Sequence, residues 1–145
     1  MSQKPQTYAN HAKLVPVFHF VGSPLLLILL GWTTWRVIEA PSTDSAMALV
    51  LVVVLALAYF YGRMFAMGVQ DRVIRLEERL RMERLLDADL KPRIPEFTTE
   101  QLIGLRFASD DELPALARRV LAEGIADRKT IKLAVKSWRA DHQRV

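Results

Sequence analysis

The side chains best suited to chemistry in this 145-residue chain are its histidines, His11, His19 and His142. His11 and His19 are eight residues apart, about 12 Å along a helix, so they cannot share one metal ion. His19 could ligate a haem opposite the same residue of a second copy, but the second apolar segment has no histidine to complete a site within one chain. We therefore expect no metal and no cofactor, and we interpret the imidazoles as hydrogen-bonding or interfacial groups.

Motifs of catalysis are absent from the sequence. It has no phosphate-binding glycine loop, no HExxH motif and no serine with a companion histidine and aspartate at a recognisable spacing. It also has no cysteine, which excludes a disulfide framework, a thiolate metal site and a cysteine nucleophile. We predict that the protein is not an enzyme and has no catalytic residues.

A cluster of polar side chains nevertheless marks the N-terminal arm as a candidate functional segment: Tyr8, Asn10, His11 and His19. They stand just before and within the entry to a long apolar segment, and polar groups at membrane depth tend to be functional. The alternative is an interfacial lead-in that hydrogen-bonds to lipid head groups or to the rest of the chain.

Charge is distributed very unevenly along the chain. The composition is 51% hydrophobic and 25% charged with a net charge of +4, yet 30 of the 36 charged side chains lie from Gly68 onward. This segregation excludes a single soluble globule and predicts a membrane half followed by a cytosolic half.

The membrane half contains two candidate spans. Residues 14–35 include no Asp, Glu, Lys or Arg, and residues 46–61 form an apolar run that can continue to residue 67. Both are long enough to cross a bilayer, and Pro24 should kink the first one. A cleavable signal peptide is disfavoured for the first, because its apolar core is long and no Ala-x-Ala-like cleavage site follows.

The basic residues predict the orientation. The loop at about residues 37–45 has no Lys or Arg, whereas the segments before the first span and after the second are basic, so both termini should be cytoplasmic. Anionic head groups would be contacted by the candidate membrane-surface residues Arg63, Arg72, Arg75 and Arg79. Aromatic rings near the span ends are expected to be interfacial anchors: Trp32, Trp35, Tyr59 and Tyr61.

One face of the second span carries small residues at intervals of four, Ala58, Gly62 and Ala66. Such a face lets another helix approach closely. It could serve packing within the chain or self-association, and the sequence leaves both open.

The second span is predicted to continue into a cytosolic stalk helix, residues 68–91, that carries an apolar seam. Val69, Val73, Leu76 and Leu80 follow the 4, 3, 4 spacing of a heptad repeat. Because the seam runs for only about two heptads, we expect it to pack on the chain's own C-terminal module. Pro92 and Pro95 should then form a short extended linker.

The C-terminal module, residues 96–145, is predicted to contain three short helices. Thr98 and Gln101 form a capping box that starts the first at Thr99, which should run to about Phe107. Asp111 is the expected N-cap of the second and Asp127 that of the third, which should run toward Asp141. The third helix would present a basic face formed by Arg128, Lys132, Lys136 and Arg139. Acidic residues of the module balance much of this charge, so the face is a poor candidate for binding nucleic acid.

The predicted fold class is therefore all-α: a transmembrane helical hairpin that continues into a cytosolic stalk and a small helical module. Three separated motifs resemble a family of small bacterial two-span membrane proteins of unknown function: the N-terminal arm, the string DRVIRLEERLR and the C-terminal IKLAVKSWRADHQRV. The resemblance implies a bacterial inner membrane and carries no activity.

Two functions remain open on the sequence. The first is a non-enzymatic scaffold that binds the bilayer and another membrane protein or a second copy of itself, without nucleic acid. The second is an accessory subunit of a transport or respiratory complex, in which the arm touches a cofactor or substrate path.

Overall fold

The computed structural model describes residues 6–10 and 14–141, which form two compact units. Of the described residues, we call 14–67 the hairpin unit, and 6–10 together with 68–141 the module unit. The all-α prediction is confirmed: the described residues contain no strand, and one isolated bridge pairs Ala108 with Trp138. The helices are α1 (Ser23–Glu39), α2 (Thr43–Leu85), α3 (Thr99–Leu105), α4 (Leu113–Ala122) and α5 (Arg128–Ala134).

In the hairpin unit, three residues connect α1 to α2, so the loop is shorter than the predicted 37–45. Two serines explain the early start of α2. The Ser42 hydroxyl accepts a hydrogen bond from the Ser45 backbone N–H at 3.1 Å, and the Ser45 hydroxyl donates to the Ala40 carbonyl at 3.1 Å. These bonds satisfy backbone groups that helix ends leave unpaired.

A π-helical turn, Val17–Gly22, stands immediately before α1, close to Pro24, where the sequence predicts a kink. Proline lacks the N–H that would continue the regular ladder. The Ser23 backbone N–H instead donates to the Phe18 carbonyl, five residues earlier, which is the π-helical spacing.

In the module unit, apolar side chains from the end of α2 through α5 form one core. Its fully buried members include Met82, Phe97, Leu102, Phe107, Leu113, Val120 and Ile131. α3 lies against α5 so closely that a Cβ added at Gly104 would be 2.8 Å from the Ile131 Cβ. Gly104 is therefore required by packing.

The capping residues in the sequence predicted the start of α3 correctly and the bounds of the later helices less accurately. The Thr98 and Gln101 capping box is present as predicted. The second helix, however, begins at Leu113 with Glu112 as its N-cap, so Asp111 was the wrong cap. The linker around Pro92 is also not extended: Lys91–Glu96 form a 3-10 helix, which buries Ile94 in the core.

The last helix ends at Ala134, well before the predicted Asp141. The chain beyond it pairs with other segments: the Glu112 carboxylate accepts hydrogen bonds from the backbone N–H groups of Lys136 and Ser137 at 2.9 and 2.8 Å. The Arg139 N–H also donates to the Phe107 carbonyl at 2.8 Å. Lys136 and Arg139 therefore cannot share a helix face with Arg128 and Lys132, and the predicted basic face does not form.

The prediction that the stalk seam packs on the module was also wrong. Val69, Val73, Leu76 and Leu80 are 61, 48, 61 and 58% exposed. Within α2, which ends at Leu85, the buried stalk positions are Ile74, Glu78, Arg81 and Met82, on another face of the helix. The heptad pattern correctly predicted an apolar stripe on this helix, but the module does not pack on that stripe.

Candidate functional site

A buried group of charged side chains joins α2 to the rest of the module unit. Arg81 and Glu78 are each only 4% exposed. The Arg81 guanidinium donates to the Glu78 carboxylate at 3.0 Å, to Asp110 at 2.8 Å and to the Ala108 carbonyl at 2.7 Å. Three partners in different directions fix the orientation of the planar guanidinium.

The same group extends to the C-terminal segment and to the N-terminal arm. Arg139 lies 3.3 Å from the second oxygen of Glu78, and Arg106 lies 3.4 Å from the Asp141 carboxylate. The Gln6 side chain accepts a hydrogen bond from the Asp141 backbone N–H at 2.8 Å. We call this set the ion cluster: Gln6, Glu78, Arg81, Arg106, Asp110, Arg139 and Asp141.

The environment sets the pKa values within the ion cluster. Burial raises the pKa of the Glu78 carboxyl above its ordinary value, and the opposing attraction comes chiefly from Arg81. The hydrogen bond from Arg81 lowers the pKa of the more exposed Asp110 carboxyl. Removing one partner would leave a buried charge uncompensated, so the cluster acts as a structural clamp between distant segments.

A groove of about 660 Å³ runs beside the ion cluster, between the stalk part of α2 and the C-terminal segment. Its walls include seam residues Val73 and Leu80, the carboxylate-bearing Glu77, and the backbone around Ala140. Among the residues the structure describes, no three His, Asp or Glu side chains are grouped to hold a metal ion. Seven of its twelve lining residues are charged, and its apolar part consists of Val73, Ile74, Leu80 and Ala140.

The proposed functional arm is divided between the two units. Tyr8 and Asn10 belong to the module unit, where the Asn10 side chain accepts a hydrogen bond from the Thr7 backbone N–H at 2.6 Å and closes a turn. His11 lies outside the described residues. His19 belongs to the hairpin unit, and its Nδ1 lies 2.9 Å from the Val15 carbonyl and 3.1 Å from the Val15 nitrogen.

Tyr59, predicted as an interfacial anchor, makes specific contacts within the hairpin unit. Its ring stacks on Phe18 at a centroid distance of 4.3 Å, and its hydroxyl donates to the Phe18 carbonyl at 2.6 Å. The Ser23 hydroxyl donates to the same carbonyl at 2.9 Å. A Cβ added at Gly22 would lie 2.8 Å from the Tyr59 hydroxyl oxygen, so a glycine is needed for this approach.

The remaining candidate residues are mostly exposed. Ala58, Gly62 and Ala66 are exposed, and a Cβ at Gly62 would meet no atom of the described residues within 4 Å. The Arg63 guanidinium lies 5.4 Å from the centre of the Phe18 ring. Arg72 and Arg75 are exposed, and Arg79 is half-buried.

Comparison with protein families adds one assignment. A statistical profile of a single family matches residues 1–145. The chain belongs to DUF6526, a family of unknown function. No curated protein and no solved structure matches the chain.

Membership in DUF6526 agrees with the sequence resemblance in describing a family without an assigned activity. The ion cluster was missed because its members are far apart in the sequence: Gln6 and Asp141 are separated by 135 residues. The available signal was local. Glu78 and Arg81 are three apart on α2, a spacing that allows the ion pair the structure forms, but nothing local indicates the second partner of Arg81, Asp110.

Proposed function

We propose that this DUF6526 chain is an integral protein of a bacterial inner membrane, whose helical hairpin anchors a cytosolic module that binds another protein and catalyses no reaction. The observation that carries the proposal is the low burial of two long apolar helices. In the most apolar windows of Val17–Glu39 and Thr43–Leu85, only 6 and 11% of residues are buried. A core helix of a soluble protein would be mostly buried, so these surfaces fit a lipid solvent.

Helix lengths support the anchoring role. The 23 residues of Val17–Glu39 extend about 35 Å as a helix, which exceeds the roughly 30 Å of a bilayer's hydrocarbon core. The distribution of basic residues favours cytoplasmic termini, with the short loop after Glu39 outside.

An interaction role for the module is supported by its chemistry. Its core is buried within the chain and Arg81 bonds to Glu78 there, whereas its groove and stalk seam present apolar surface beside charge. A folded platform with an uncovered apolar stripe is typical of a binding surface.

Anchoring and orientation can be tested on the natural chain, which contains no cysteine. Pro41→Cys and Ala126→Cys place single thiols at exposed positions in the loop and in the module. We expect the protein to resist alkaline extraction from membranes. In spheroplasts, an impermeant maleimide should label Pro41→Cys directly and Ala126→Cys only after permeabilisation. Extraction into the soluble fraction, or the reverse labelling, would contradict the proposal.

Partner binding can be tested by placing a photo-crosslinking amino acid at Gly62 or at Leu76 in cells. The proposal predicts a protein adduct, either with a second copy or with another membrane protein. Absence of any adduct at both positions, with a lone monomer in mild detergent, would overturn the interaction role. A Soret band or stoichiometric metal in the pure protein, lost in His19→Ala, would instead support the accessory-subunit function.

A further inference from the structure

The stalk seam forms an apolar stripe that the module leaves uncovered. At 100° per residue, Val69, Val73, Leu76 and Leu80 fall within an arc of about 60° on α2. The buried positions Ile74, Glu78, Arg81 and Met82 are centred roughly 155° away around the same helix. The module therefore occupies one face of the stalk, and the seam faces outward on another.

We infer that a second copy of this chain covers the seam, forming a parallel two-stranded coiled coil over residues 69–80. The inference rests on the proposed function, because anchoring in one membrane holds two copies in the same orientation. The spacing places Val69 and Leu76 at d positions and Val73 and Leu80 at a positions. Valine at a with leucine at d, as at Val73 and Leu76, favours two strands.

Charge complementarity favours a second copy over an unrelated partner. In this register Arg72 is at a g position and Glu77 is at the e position five residues later, and both are exposed. In a parallel pair, a g side chain faces the e side chain of the other helix. Twofold symmetry then gives two contacts between Arg72 of one copy and Glu77 of the other.

The groove beside the ion cluster adds shape to the match. The seam residues Val73 and Leu80 line it together with Glu77, so a helix laid on the seam would meet a recess with a second wall at Ala140. The contact ends beyond Leu80, because Glu83 takes the next d position and the next facing pair, Arg79 and Arg84, has like charges. Such a short coiled coil depends on the high effective concentration that membrane confinement provides.

The first test introduces Leu76→Cys into the full chain in native membranes and applies an oxidant or a short bis-maleimide. The matched control is Arg75→Cys, an exposed neighbour that lies about 130° around the helix from the centre of the seam. We expect efficient crosslinking to a species of twice the chain mass for Leu76→Cys and background for Arg75→Cys. Equal yields at the two positions would overturn the inference.

The second test reverses charges. Arg72→Glu or Glu77→Arg alone should weaken dimerisation in bicelles by roughly tenfold, because each converts both attractive pairs into repulsive ones. The double variant should restore the parent dimer, a recovery that general misfolding cannot produce. Failure of the double variant to recover, with normal Trp138 fluorescence, would overturn the inference.

The two proposals fail in distinguishable ways. If the chain resists alkaline extraction and labels as expected but Leu76 crosslinks to lipid or to a different protein, the second copy is wrong and the membrane anchor stands. If the chain is released by alkaline extraction, the anchor itself fails, whatever happens at Leu76.

Discussion

The two units contain similar apolar side chains but differ in how far they bury them. In the hairpin unit, the buried side chains among the described residues are Thr33, Ser45 and Val52, and large residues such as Leu51 are exposed. In the module unit, Leu102 and its neighbours are completely buried. The module buries its hydrophobic surface within the chain, whereas the hairpin leaves most of its own exposed, which the proposed membrane anchor would cover with lipid. Comparable changes in the two units should therefore have unequal effects.

The largest effect is expected from Arg81→Met in the ion cluster. It leaves the buried Glu78 carboxylate without its main partner and should lower the module's free energy of unfolding by about 3–5 kcal/mol. Urea denaturation in mild detergent measures this, with Trp138 as sole reporter after Trp32→Phe and Trp35→Phe. The control Arg118→Met, which removes exposed ion pairs to Asp87 and Asp89, should change the midpoint little.

The Arg81→Met variant should also show a stronger pH dependence than the parent, with a known sign. Without Arg81, burial raises the pKa of Glu78 further above the ordinary 4.5, so the folded state retains a proton that the unfolded state releases. The free energy of unfolding should therefore fall as the pH rises through the pKa that Glu78 has in the folded state. Adding Glu78→Gln should abolish this slope, and a slope that persists would contradict the account.

The direct comparison of the units uses one substitution at two sites. Leu102→Ala in the module core should cost about 2–5 kcal/mol, because it opens a cavity at a fully buried position. Leu51→Ala in the hairpin should change stability by no more than about 0.5 kcal/mol, because lipid fills the space. Equal losses in bicelles, measured by denaturation, would show that the hairpin has a tight partner at Leu51.

A smaller contrast is expected at two helical glycines. Gly104→Ala should cost about 1–3 kcal/mol, since the new methyl group collides with Ile131. Gly31→Ala meets no atom of the described residues within 4 Å and should be neutral or stabilising by up to about 1 kcal/mol, through helix propensity. Thermal melts of both variants give the comparison, and a destabilising Gly31→Ala would reveal a neighbour at that face.

The smallest effect is expected at the start of α3. Thr98→Ala removes the hydroxyl that accepts the Gln101 backbone N–H and should cost about 1 kcal/mol. Thr98→Ser retains the hydroxyl and should match the parent in urea denaturation. A full-sized loss in Thr98→Ser would mean that the methyl group, and not the cap, stabilises this helix.

The sequence alone determined what depends on neighbours along the chain. The apolar runs that become α1 and the first part of α2, the capping box at Thr98 and the all-α class follow from composition, spacing and helix-end chemistry. The seam from Val69 to Leu80 was also visible, because helical periodicity places those residues on one stripe.

Tertiary structure decided which face of each element finds a neighbour. It buried Arg81 and Glu78 instead of the seam, turned the chain out of α5 before Lys136, and linked Gln6 to Asp141 across 135 residues. These outcomes depend on charge pairs and backbone hydrogen bonds between distant segments, and helical periodicity carries no information about them. The sequence shows that an apolar stripe exists, and only the packing of the module shows that the stripe stays exposed.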